Sequence, residues 1–184
     1  MKTYAPGQLL EVLDHSIKHL RPMLADRSRW DSLIINRRKP YTYRVFTQLD
    51  NGMRLCLHRF EPCDTHEAFA HPHPWPGAFK ILMGEYRMML GYSCNGREDS
   101  NYKETATLIL SRGSQYEIID PLTWHAVIPT QTTYTIMIND EAWDASFAHK
   151  DVRTTKGKDL EKMEEPDLIH VLELFDELTV IHNP

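Results

Sequence analysis

Between Tyr41 and Ile138, turn signals cut the chain into short segments rich in β-branched and aromatic residues, and this spacing constrains the fold more than any other feature. Tyr41-Thr42-Tyr43-Arg44-Val45-Phe46 starts the series. Asp50-Asn51-Gly52 is a strong hairpin signal before Met53 to Phe60. Further strands are expected at Phe79 to Met83, Tyr86 to Tyr92, Thr105 to Leu110, Tyr116 to Ile119, Ala126 to Ile128 and Thr133 to Ile138. They are separated by Gly84, Asn95-Gly96, Arg112-Gly113-Ser114 and Asp120-Pro121. Many short strands at regular spacing predict an antiparallel sandwich or barrel.

The ends of the chain have a different texture. Leu9, Leu10, Leu13, Ile17 and Leu20 recur at helical steps, with Pro22 as an interruption. A second short helix is expected to bury Trp30, Leu33 and Ile34 and to stop before Pro40. Residues 149 to 165 are charged and read as a surface connection. Helical spacing returns at Leu168, Val171, Leu172, Phe175 and Leu178, behind Pro166. The expected organisation is a helical segment over 1–40, a β domain over 41–148, and a connection with a C-terminal helix over 149–184.

A length of 184 residues, 41% of them hydrophobic and 26% charged, suits one soluble domain. The net charge of −5 argues against a nucleic-acid surface, which needs a concentrated basic footprint. No apolar run approaches the about 18 residues that span a bilayer, so no membrane partner is expected. The N-terminal residues lack a signal-peptide core. Three cysteines, Cys56, Cys63 and Cys94, without C-x-x-C spacing favour reduced thiols and a cytoplasmic setting.

Chemistry is concentrated in His71-Pro72-His73. Histidines at i and i+2 of an extended segment point to one side, because strand side chains alternate. His125, after Pro121 and before the strand-like Ala126-Val127-Ile128, can supply a third imidazole and leave other coordination positions open. Such a site takes one divalent metal; neutral imidazoles suit Fe, Ni, Cu or Zn. Other residues carry weaker signals. His15 and His19 lie one turn apart on a helix, where a solvated face is the ordinary reading. His66 and Glu67 sit on a loop upstream of the pair, and His58 is read as facing solvent. Arg59 is a possible anion ligand if it faces inward; Trp75, Tyr86 and Tyr116 read as packing residues. Cys63 beside His66 is a poor thiol nucleophile. No G-x-S-x-G, Walker-type or dinucleotide-binding motif is present.

His71, His73 and Gly84, followed by Pro121 and His125, resemble the two motifs of the cupin superfamily. The resemblance covers roughly Tyr41 to Trp143. It implies a mainly β, single cupin barrel (a double-stranded β-helix, jelly-roll-like) with N- and C-terminal α-helices flanking it. Many cupins add a glutamate ligand four or five residues after the second histidine; here Gly77 and Ala78 stand there. A three-histidine site without that glutamate is similar to the thiol dioxygenase branch, as is Lys80-Ile81-Leu82-Met83-Gly84. Some members of that branch carry a cross-linked cysteine where Gly77 falls. The resemblance implies Fe(II) as the metal, with Ni, Cu, Zn or Mn as alternatives, and a small thiol carboxylate as substrate. It also implies an arginine that holds the carboxylate, matched by Arg44 in Tyr41-Thr42-Tyr43-Arg44. The serine, histidine and tyrosine network of that branch has no counterpart in Thr133 to Asp140. A metal-dependent isomerase or lyase and a non-catalytic ligand-binding cupin are the competing expectations. A homodimer is compatible with the apolar helical stripes.

Overall fold

The structure, a computed structural model, describes residues 3–73, 75–93, 102–141 and 161–182. Cys94, the Asn95-Gly96 turn and residues 149–160 of the charged connection lie outside the described residues.

Helices α1 (Gln8–Lys18) and α2 (Leu20–Ala25) come first, then a 3-10 turn at Arg27–Arg29. Among the described residues ten strands follow: β1 (Asp31–Ile35), β2 (Thr42–Gln48), β3 (Arg54–Phe60), β4 (His71–Pro72), β5 (Gly77–Met83), β6 (Glu85–Ser93), β7 (Tyr102–Ser111), β8 (Gln115–Ile118), β9 (Thr123–Pro129) and β10 (Thr133–Asn139). Helix α3 (Glu165–His182) ends the described chain. Among the described residues no helix is long and apolar enough to cross a membrane.

The strands form two antiparallel sheets, ordered β1-β2-β3-β10-β5-β8 and β4-β9-β6-β7. Ile81 of the first packs against Tyr86, Met88 and Val127 of the second. The ladders of the two sheets do not join among the described residues, so the sheets are not closed into the expected barrel there.

The six-stranded sheet is covered on both faces. Leu55, Leu57, Ile136 and Ile138 point away from the second sheet and share one core with Leu9, Leu13, Ile17, Leu20 and Leu24 of α1 and α2, and Val171, Leu172, Phe175 and Leu178 of α3. The apolar stripes of the terminal helices are therefore occupied by the chain's own core. Glu117, on β8, fastens α1 to the sheet. Its carboxylate accepts the backbone N–H groups of Gly7, Leu9 and Leu10 at 2.7, 2.8 and 2.9 Å, supplying the anion that an uncapped helix start favours.

One expected element has the other secondary structure. Asp31–Ile35 is not helical but a strand, paired residue for residue with β2 from Asp31↔Phe46 to Ile35↔Thr42. A short apolar run does not distinguish the two periods, and β-branched Ile34 and Ile35 fit a pleated edge. Trp30 is buried as expected, though in extended backbone, with its indole N–H donating to Met23 O at 2.9 Å.

Two glycines meet real constraints. Gly84 links β5 to β6 at φ +88°, and a Cβ there would lie 2.6 Å from Thr133 Oγ1 and 2.8 Å from Thr132 O. Gly84→Ala is expected to cost about 3 kcal/mol, combining left-handed strain with overpacking, and to lower the thermal midpoint by about 10 °C. A shift below 2 °C in calorimetry would contradict this account. At Gly77, β5 passes so near β10 that a Cβ would lie 2.9 Å from Ile138 O. The cysteine that some members of the resembled branch carry there has no room in this chain.

Candidate metal centre

Strand β4 pairs antiparallel with β9 and sets His71 directly opposite His125, with Pro72 opposite Trp124. Facing residues of an antiparallel pair have closely spaced Cβ atoms, and the His71 and His125 ring centroids are 4.8 Å apart. His73, two residues on, turns to the same side, 5.4 Å from the His71 ring and 4.5 Å from that of His125. The structure thus brings His71, His73 and His125 together, with one potential ligand atom from each within 4.8 Å of the others. Among the described residues no carboxylate joins them.

Hydrogen bonding orients one of these rings, and proximity the other two. The His71 Nδ1–H donates to Phe69 O at 3.1 Å, which puts the ring's lone pair on Nε2. His73 Nε2 and His125 Nε2 lie 2.7 Å apart, and the Nδ1 of each ring is buried without a hydrogen-bond partner. Cis ligands at about 2.1 Å from a metal stand about 3 Å apart, so the two rings need to part by only a few tenths of an ångström. The donor set fits one divalent ion. Trp75 stands edge-on to His73 at 4.4 Å, and Phe79 at 5.4 Å. Tyr116 stacks on Phe79 at 4.6 Å. This aromatic wall keeps water from one side of the site.

Burial, with nearby positive charge, holds His73 and His125 well below the ordinary histidine pKa, and burial does the same to His58. All three are neutral in the folded chain while their unfolded counterparts take up protons near pH 6.5. Each therefore contributes stability that is complete above about pH 6.5 and declines as the pH falls below it, by up to about 1.4 kcal/mol per pH unit for each ring. Urea midpoints of the metal-free protein are expected to drop steeply between pH 7 and 5. A flat profile over that interval would contradict burial of these rings.

Arg44 on β2 lies opposite His58 on β3. Its Nε–H donates to His58 Nε2 at 2.8 Å, and its charge adds, behind burial and the neighbouring histidines, to the lowering of the His73 pKa. Burial disfavours the charge of Arg44 itself, yet no carboxylate among the described residues pairs with it. His58 was expected to face solvent; it is instead 2% exposed and packed between the sheets. One signal was available. A hairpin turning at Asp50–Gly52 places residues equidistant from Asn51 across from each other, and Arg44 and His58 are such a pair.

The remaining candidates lie elsewhere. Glu67 is tied to Lys39 at 2.6 Å and accepts the Asp64 N–H, and His66 is exposed. Arg59 pairs with Glu61 at 2.7 Å and lies 5.0 Å over the Tyr43 ring, so it does not compete with Arg44. The Tyr86 and Tyr116 hydroxyls are 2.9 Å apart, with both pKa values raised by burial. His15 and His19, exposed at the end of α1, have tilted rings 4.4 Å apart, with His19 Nδ1 2.9 Å from His15 O. Cys63 is a free thiol whose pKa burial raises, which disfavours a thiolate.

No family model matches the chain, and no curated protein matches it in sequence. Solved structures to which it is similar include the hydroxypropylphosphonic acid epoxidase from S. wedmorenis, at 15% identity over 59% of this chain and 55% of that one, TM-score 0.44. FeII HppE follows at 15% identity over 61% and 57%, TM-score 0.46. CoII HppE in complex with substrate gives 16% identity over 58% and 55%, TM-score 0.42. The chain spans between 55% and 57% of the length of these structures.

Proposed function

We propose that this protein is a metal-dependent cupin that binds one divalent ion, Fe(II) in the working enzyme, through His71, His73 and His125. It acts there on a small anionic metabolite held by Arg44. The observation that carries this reading is the convergence of three imidazoles, with a guanidinium whose charge acts on His73 and which has no carboxylate partner among the described residues. Three neutral ligands leave the full charge of a divalent ion in place, which attracts an anionic donor such as a thiolate. Arg44 supplies a second positive group, and its planar fork suits a carboxylate. A thiol carboxylate satisfies both, so a thiol dioxygenase activity is the specific assignment. Iron would contribute the redox chemistry with oxygen. The chain orients the substrate between Arg44 and the histidines, and the Trp75, Phe79 and Tyr116 wall limits water. Reduced Cys56 and Cys63 suit a cytoplasmic setting.

Anaerobic loading with Fe(II), followed by oxygen-uptake measurements with cysteine, 3-mercaptopropionate and the carboxylate-free cysteamine, tests the assignment. Uptake is expected with the first two and not with the third. No thiol-dependent uptake by fully iron-loaded protein removes the dioxygenase assignment. Turnover of an oxygenated metabolite with Zn or Mn in the absence of oxygen would replace it with a Lewis-acid isomerase or lyase. Tight binding without turnover would make the protein a ligand-binding cupin.

A further inference from the structure

We infer that His58 is a positioning residue for Arg44: it holds the guanidinium by Nε and leaves only the end-on edge, Nη1 and Nη2, for an incoming carboxylate. This deepens the anion-binding reading above and rests on it. A guanidinium carries five N–H donors and can grip a carboxylate through either of two kinds of edge, one using Nε and one using both terminal nitrogens. Here the Nε–H is committed to His58 Nε2 at 2.8 Å. No other hydrogen bond or ion pair ties Arg44 to a described residue, and the side chain retains partial exposure. The free donors are the terminal pair.

His58 is itself held in the form this task needs. Accepting from Arg44 at Nε2 requires the neutral ring with its proton on Nδ1. That nitrogen lies 3.4 Å from Thr135 Oγ1 on β10, the strand that flanks β3 on its other side. Phe60 packs against the ring at 5.3 Å. Burial keeps the ring unprotonated, and the Arg44 charge adds to this. Three adjacent strands, β2, β3 and β10, thus present Arg44, His58 and Thr135 as a connected row between the sheets. Arg59, next to His58 on β3, is instead paired with Glu61 through a terminal nitrogen and lies over the Tyr43 ring.

Two measurements separate this inference from the function proposed above. The first needs no metal or thiol. In nitrogen-15 spectra of the whole protein, the Arg44 Nε–H is expected to be protected from exchange and to lose that protection in His58→Leu, while the other arginines are unchanged. An Arg44 Nε–H that exchanges as fast as those of surface arginines overturns the clamp. The second follows the visible spectrum of the Co(II)-loaded protein titrated with 3-mercaptopropionate and with ethanethiol, which lacks the carboxylate. His58→Leu is expected to reduce the preference for 3-mercaptopropionate about tenfold, the scale of one charge-assisted hydrogen bond, at unchanged cobalt content. His58→Gln, whose amide oxygen can accept from Nε, should restore most of it. In an Arg44→Ala background the His58 change should have no further effect. An intact preference in His58→Leu, or equal weakening of both thiols, overturns the positioning role. Should His58→Leu fail to fold, Thr135→Val retains the ring but removes its Nδ1 partner. It is expected to weaken 3-mercaptopropionate about threefold, and no change would overturn the inference. A cobalt spectrum unmoved by either thiol, with Arg44 Nε–H protected, sinks the thiol reading and leaves the clamp standing.

Discussion

Replacing His125 with alanine is expected to abolish metal binding, with affinity falling more than a hundredfold. The wild-type chain should bind one ion. Outer partners of metal ligands typically contribute tenfold to a hundredfold, and the loss of one of three direct donors exceeds that. The same result is expected for His73→Ala, and a similar one for His71→Ala, whose ring faces His125 across the β4–β9 ladder. Elemental analysis together with competition against a chelator reads the effect. The metal-free stability of His125→Ala should change by only about 1 kcal/mol. Loss of packing is offset by removal of a buried Nδ1 that has no hydrogen-bond partner. Stoichiometric metal in a variant lacking all three rings would falsify the site.

Arg44→Ala is expected to raise KM for a carboxylate-bearing thiol about a hundredfold and to leave the binding of a carboxylate-free thiol to the Co(II)-loaded protein nearly unaffected. A buried, charge-assisted bidentate contact is worth about 3 kcal/mol, which is that factor. Arg44→Lys keeps the charge but loses the fork, and should recover about tenfold of the loss. The expected effect on stability is small. Burial already disfavours the Arg44 charge, and no carboxylate offsets it among the described residues. Arg44→Leu relieves that cost but strands the buried His58 Nε2 that accepts from Arg44, so the stability of the metal-free protein should change by less than about 1 kcal/mol. Equal KM values for wild type and Arg44→Ala would show that the anion is held elsewhere.

Much of this molecule is legible along the chain because the relevant signals are local. Turn residues such as Asn51-Gly52 and Gly113 punctuate the strands, and both glycines adopt the positive φ that makes those turns. The Leu9-Leu13-Ile17-Leu20 stripe and the Val171-Leu172-Phe175-Leu178 stripe specify helices because burial on one side of a 3.6-residue period requires that spacing. His71 and His73 share a side for the same kind of reason, a period of two.

The tertiary structure decided what periodicity leaves open. Asp31–Ile35 became a strand because β2 offered an unpaired edge, and no local signal records that offer. His58 was misplaced because β3 is buried on both faces. Its run Leu55-Cys56-Leu57 has no polar alternation, so inward and outward residues look alike until α1, α2 and α3 cover one side and the second sheet the other. His125 meets His73, and Arg44 comes within electrostatic reach of His73, only through strand pairings that join residues far apart in sequence. Local preferences specify each element, whereas long-range burial and ladder register determine which side chains meet.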